Sequence, residues 1–70
     1  MTKHRQVLGE NIRAVRVAEG LSVEQLGEAV GFSASYISDV EGGRKNVSMD
    51  ELLSIAQTFK ISLNDLTAGM

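Results

Sequence analysis

The chain has 70 residues, a length that allows one domain, and we expect residues 1–70 to form it. Seven basic against nine acidic residues give a formal net charge of −2, which argues mildly against a nucleic-acid partner because nucleic-acid-binding domains are often basic. The absence of cysteine excludes a disulfide framework and a thiolate metal site, and it fits a reducing compartment. No apolar run approaches the ~20 residues of a membrane span, and no signal-peptide pattern opens the chain. We therefore expect a cytoplasmic protein.

The first predicted helix is amphipathic. Leu8, Ile12 and Val15 recur at helical spacing, and the helix should stop near Gly20. No segment of the chain has the strict period-two alternation of a strand, so we predict none.

Serine caps and glycine stops bound the next two helices. Ser22 and Gln25 form the pattern of a capping box, and Gly31 should end helix two with a positive φ. Ser33 should cap helix three, which ends before a loop at 42–47.

The last two helices begin with the same cap chemistry. Ser48 and Glu51 form a second capping box, and Ser62 with Asp65 marks a short final helix. The result is an all-α, compact five-helix bundle. Its predicted core consists of the apolar residues Leu8, Ile12, Val15, Leu21, Leu26, Val30, Ile37, Val40, Leu52, Ile55, Phe59, Ile61, Leu63 and Leu66.

Residues 22–41 predict two short helices joined by a tight turn. Gly27 lies where the helices would cross closely, Gly31 lies at the turn, and Ser33 caps the second helix. This spacing is typical of a helix-turn-helix, whose second helix enters a DNA major groove.

From Leu8 to Leu66 the chain resembles the Cro/phage-repressor (XRE-type) helix-turn-helix family. The matching strings are Leu-Gly-x-x-Ile-Arg-x-x-Arg near the start, Gly-Leu-Ser before helix two, Tyr-Ile-Ser-x-Val-Glu-x-Gly at 36–43 and Ser-x-x-x-Leu-x-x-Ile-Ala at 48–56. The resemblance implies a lambda-repressor-like fold and a DNA-binding regulator. The string at 36–41, followed by that at 44–48, is also similar to the controller proteins of restriction–modification systems, which are dimeric activator–repressors of their own operon.

The chain departs from the family pattern in two respects. Members usually carry Gln at the first position of helix two, where it reaches a phosphate, and this chain has Val23. Members also tend to carry Gln, Arg or Lys early in the recognition helix, where Ala34 and Ser35 stand here. Moreover, residues 17–43 contain no Lys or Arg, so we expect phosphate contacts in that stretch to come from backbone amides and hydroxyls.

Helix three should present the residues that contact DNA. Ser35 can hydrogen-bond a base edge, Ala34 can touch a thymine methyl, and Asp39 can accept from a cytosine amino group. Tyr36 can bond a phosphate through its hydroxyl or pack on a sugar. The predicted DNA-binding residues are Ser33, Ala34, Ser35, Tyr36, Ser38 and Asp39, with Arg44, Lys45 and Asn46 in the following loop; the alternative is an ordinary exposed helix and a solvated loop.

Charged residues outside helix three have separate interpretations. Lys3 and Arg5 could form an N-terminal arm that touches DNA, although termini are commonly disordered. His4 lacks a Cys or His partner, so we predict no metal site. The resemblance implies that Arg16 and Glu41 form an ion pair that fixes the recognition helix in place.

The predicted function is sequence-specific transcriptional regulation by a homodimer on a pseudo-palindromic operator. The dimer interface should contain the apolar residues of the C-terminal third that do not fit a small core: Leu53, Ile61, Leu63 and Leu66. An alternative is an antitoxin or anti-repressor module that binds a protein partner, with DNA binding secondary. We expect no enzymatic activity, cofactor, small-molecule ligand or membrane partner.

Overall fold

The computed structural model describes residues 3–69 and shows, within them, five α-helices and no strand. The helices are α1 (Lys3–Ala18), α2 (Val23–Val30), α3 (Ala34–Glu41), α4 (Met49–Phe59) and α5 (Leu63–Thr67). They pack into a bundle with principal extents of 26 × 24 × 22 Å, as the all-α prediction required. None of the described helices has both the length and the apolar character that crossing a membrane would need.

The predicted capping interactions are present at the helix starts. At α2, the Ser22 hydroxyl accepts from the backbone N–H of Gln25, and the Gln25 side chain accepts in return from the backbone N–H of Ser22. Ser48 with Glu51 and Ser62 with Asp65 repeat this reciprocal arrangement at α4 and α5. These bonds satisfy amides that have no partner inside a helix.

The start of α1 differs from the prediction. Lys3 and Arg5 belong to the first turns of α1 and do not form a separate arm. No Gly or Pro interrupts residues 3–8, so nothing local prevents the helix from extending N-terminally beyond its apolar stripe.

The core lies between all five helices. Its buried members are Leu8, Ile12, Leu26, Ile37, Val40, Leu52, Ile55, Ala56, Phe59 and Leu66. Five other predicted core residues pack against this cluster but stay half-buried at its edge: Val15, Leu21, Val30, Ile61 and Leu63.

Two contacts hold α1 against the C-terminal half of the chain. At Gly9, an added Cβ would lie 2.5 Å from the carbonyl oxygens of Val40 and Glu41, so α1 and α3 cross in backbone contact. The side-chain amide of Asn11 donates to the carbonyl oxygens of Leu66 and Ala68, both at 2.8 Å. Asn11 therefore fastens the end of α5 to α1 with two hydrogen bonds that the sequence pattern did not predict.

Candidate DNA interface

The turn between α2 and α3 is built around two glycines. Gly31 has a φ of 82°, a conformation in which a side chain is strained, and its N–H and that of Phe32 both donate to the carbonyl of Gly27 at 2.8 Å. At Gly27 an added Cβ would lie 2.5 Å from the carbonyl oxygen of Phe32. The pair of glycines thus permits the tight crossing that the sequence predicted.

The Ser33 hydroxyl fixes the first turn of α3 by accepting from the N–H of Tyr36 at 3.1 Å. Ile37 and Val40 are buried beneath the helix. Ser33, Ser35 and Ser38 are exposed, and Ala34 is half-buried. The outward surface of α3 therefore offers hydroxyl groups that can donate or accept, and a small methyl group beside them.

Tyr36 does not lie free on that surface, which corrects the prediction that its hydroxyl is available to a phosphate. The residue is half-buried, and its hydroxyl donates to Glu51 Oε1 at 2.9 Å and lies 3.4 Å from the carbonyl oxygen of Asn46. Its ring packs edge-on against Phe32, with centroids 5.1 Å apart. Burial, with the Glu51 contact second, raises the pKa of the Tyr36 hydroxyl. Tyr36 joins α3 to the start of α4.

Asp39 and Arg44 pair with each other. Arg44 Nη2 lies 3.2 Å from Asp39 Oδ1 and donates at 3.4 Å to the carbonyl of Ser38. Asp39 is therefore positioned as a partner for Arg44 in the free protein, where the sequence had predicted a base contact. Lys45 and Asn46 are exposed beside them, in the loop where cations were expected.

Arg16 and Glu41 pair at the C-terminal end of α3. Arg16 Nε donates to Glu41 Oε2 at 2.6 Å and Nη2 to Oε1 at 3.0 Å, while Nη1 donates to the carbonyl of Leu21 at 2.8 Å. The side chains are 14% and 8% exposed. The hydrogen bond that Arg16 donates to Glu41 raises the pKa of Arg16 against the opposing effect of burial. This bidentate pair joins the end of α1 to the end of α3.

The residues predicted for a dimer interface separate into two groups. Leu53 is 41% exposed, and Ile61 and Leu63 are half-buried. Leu66 has no exposed surface, so its assignment to an interface was wrong: it completes the core between α5 and α1.

Among residues 3–69, no three His, Asp or Glu side chains cluster closely enough to hold a metal ion.

The fold and the α2–turn–α3 geometry define a helix-turn-helix protein. A family model described as "Helix-turn-helix domain" matches residues 7–68, and the chain belongs to this family, of the XRE type that the sequence predicted.

Its relatives are transcriptional regulators and control proteins. The chain is 38% identical over 63 residues to the HTH-type transcriptional regulator DdrOP3 of Deinococcus deserti, covering 90% of this chain and 49% of that protein. It thus spans about half the length of that regulator. It is 36% identical over 62 residues to the control protein C.SmaI of Serratia marcescens, covering 89% of this chain and 74% of the relative.

Solved structures with the same fold include a controller protein and a repressor bound to a synthetic operator. The restriction-modification controller protein C.AhdI from Aeromonas hydrophila superposes with a TM-score of 0.85 at 35% identity, covering 89% of this chain and 94% of the other. The P22 c2 repressor, in complex with a synthetic operator, superposes with a TM-score of 0.81 at 30% identity, covering 90% and 96%.

Proposed function

We propose that this protein is a sequence-specific, non-enzymatic transcriptional regulator that binds duplex DNA as a homodimer. Each monomer would place α3 in a major groove, and two monomers would read half-sites about one helical turn, ~34 Å, apart on a pseudo-palindromic operator. The cell compartment that fits this role is the cytoplasm.

The observation that carries the proposal is the exposed surface of α3. Its hydroxyl-bearing residues, Ser33, Ser35 and Ser38, face outward while Ile37 and Val40 anchor the helix below. Three contacts hold that helix: Arg16 and Gly9 of α1 contact its C-terminal end, and Tyr36 in its first turns bonds Glu51 of α4. A helix held in this way can present a fixed set of hydrogen-bonding groups, which base readout requires.

Selection of bound duplexes from a random DNA pool tests the proposal. We expect enrichment of one sequence with two-fold symmetry and half-site centres separated by about 10 base pairs. Failure to retain any duplex in low salt, together with recovery of a protein partner in a pull-down, would instead favour the antitoxin or anti-repressor function.

Ser35→Ala tests the assignment of the reading surface. The selected duplex should bind this variant about 1–3 kcal/mol more weakly if the Ser35 hydroxyl contacts a base. Ser54→Ala, an exposed serine on α4, is the matched control and should bind like the wild type. Equal affinity of all three proteins, at equal thermal stability, would remove Ser35 from the interface.

A narrower function is favoured by the likeness to C.SmaI and C.AhdI, namely control of a restriction–modification system. In that case the selected sequence should occur upstream of the gene for this protein, in the neighbourhood of restriction or methyltransferase genes. A selected sequence absent from that region would exclude this narrower function and leave general regulation in place.

A further inference from the structure

An open cleft of about 350 Å³ lies where α1, α2 and α3 meet. Its walls include Arg13, Arg16 and Arg44, together with Glu41, Ser38 and Val23. Val23 is the first residue of α2, where backbone amides have no partner within the helix. Ser38 belongs to the exposed surface of α3, so the cleft adjoins the surface assigned to DNA.

The lining of the cleft carries three guanidinium groups and one carboxylate, and two more carboxylates act on those guanidinium groups: Asp39 on Arg44 and Glu24 on Arg16. The charge of Arg16 is matched by the bidentate carboxylate of Glu41. Arg13 is exposed, and it makes no salt bridge to any residue in the described part of the chain. Arg44 is paired with the carboxylate of Asp39, and 56% of its side chain remains exposed. Two guanidinium groups are thus accessible at a cleft in a chain whose net charge is −2.

We propose that Arg13 and Arg44 bind one backbone phosphate of the DNA at this cleft. The inference rests on the proposed function, and it adds Arg13, which the sequence had not singled out, to the DNA-binding residues. Arg13 lies before, and Arg44 after, the stretch 17–43 that has no basic residue. Folding brings the two to one place beside the start of α2, and guanidinium groups suit the oxygens of a phosphate.

Asp39 opposes this binding in the free protein. Its carboxylate holds Arg44 at 3.2 Å, and a phosphate must replace that carboxylate as the partner of Arg44. The side chains of Arg44 and Asp39 are 56% and 35% exposed, so water screens the pair and its rupture costs little. Asp39→Asn removes a carboxylate that repels the phosphate, and it should therefore bind DNA of random sequence slightly more tightly than the wild type.

The test compares Arg13→Gln with Lys60→Gln, two variants that each lose one positive charge from an exposed side chain. Binding to a random-sequence duplex is measured over a series of salt concentrations. For Arg13→Gln we expect the slope of log K against log salt to become shallower by about 0.9 per subunit, the effect of losing one phosphate contact. Lys60→Gln, at the end of α4 and away from the cleft residues, should keep the wild-type slope.

Each other outcome has a separate meaning. If the wild type binds DNA and the slopes of the two variants agree, the cleft proposal is overturned and the proposed function stands. If the wild type binds no DNA, both are overturned. Titration with inorganic phosphate alone is the second arm, read from the Nε–H resonances of Arg13 and Arg44. Saturation of those shifts at millimolar phosphate, together with equal salt slopes for the two variants, would assign the cleft to the free ion and overturn its assignment to DNA.

Discussion

The Glu41 carboxylate accepts two hydrogen bonds from Arg16, and both side chains are largely withdrawn from water. Glu41→Gln should lower the free energy of unfolding by about 3 kcal/mol, because Arg16 would lose its paired carboxylate and keep only the weaker electrostatic effect of Glu24. Urea unfolding of the two proteins measures the difference.

Glu19→Gln is the control for this substitution, since it removes an exposed carboxylate outside the pair. It should unfold like the wild type. We also expect Glu41→Gln to retain the base preference of the wild type at temperatures where it is folded. A variant with unchanged unfolding and altered base preference would mean that Glu41 reads DNA.

Glu51 makes stability depend on pH. The backbone N–H of Ser48, followed by the Tyr36 hydroxyl, lowers the pKa of Glu51 below its usual value of 4.5. A carboxyl with a lower pKa in the folded state stabilises the fold above the unfolded pKa, and that contribution is lost as the pH falls through the folded pKa. The free energy of unfolding should therefore decrease as the pH drops below about 4.5, and this decrease should be smaller in Glu51→Gln.

Tyr36→Phe distinguishes the two hydrogen bonds that the Glu51 side chain accepts, one from the Tyr36 hydroxyl and one from the backbone N–H of Ser48. It should retain the Ser48 bond and lose about 1 kcal/mol of stability at neutral pH, the net value of one hydrogen bond. Asp50→Asn removes the exposed neighbouring carboxylate and is the control for the acid dependence. An identical dependence on pH in wild type and Glu51→Gln would show that this carboxyl has the same pKa in the folded and unfolded chain.

At the level of the elements, the close crossing of α1 and α3 depends on Gly9. In an open helix, replacing Gly by Ala stabilises by about 1 kcal/mol. At Gly9 the sign should be reversed, because the added Cβ would lie 2.5 Å from two backbone carbonyl oxygens of α3 and the helices would have to move apart. We expect a lower melting temperature for Gly9→Ala, while Glu10→Ala at the exposed neighbouring position should show no such loss. Stabilisation by Gly9→Ala would contradict the observed crossing.

Local features of the elements could be predicted from sequence because their causes lie within a few residues. Ser22 and Gln25 are three residues apart, and Gly31 adopts a conformation that glycine tolerates. The bond between Tyr36 and Glu51, in contrast, joins residues fifteen apart. It depends on how α4 is placed against α3, which no spacing in the sequence determines.

The assignment of Leu66 failed for a related reason. An apolar residue in a short C-terminal helix fits either a core or an interface, and periodicity cannot distinguish them. In the structure α5 packs on α1 and is held there by Asn11, and this packing places Leu66 in the core. Arg13 was overlooked because its neighbours in the cleft, Val23 and Arg44, are distant in sequence.

At the scale of the whole molecule, exposed apolar residues on α4 are candidates for a contact between two copies of the chain. Leu53 is 41% exposed and Met49 58%. If α4 lies in a two-fold interface, Leu53→Asp should sediment as a monomer at micromolar concentration, where the wild type sediments as a dimer. Its operator affinity should fall by about a hundredfold or more, because the two half-site contacts would no longer be linked.

Val17→Asp is the matched control, since Val17 is 59% exposed but lies on α1. It should leave the dimer intact. A monomeric wild type, or a Leu53→Asp variant that remains dimeric with full affinity, would require another interface or a monomeric mode of binding.

Amide NMR spectra recorded with and without the selected duplex show whether α3 is the part of this molecule that reads DNA. We expect the largest shifts on the first turn of α3 and on the start of α2, with smaller shifts in the loop at 44–46. Shifts concentrated on α4 and α5, with those of α3 unchanged, would contradict this expectation.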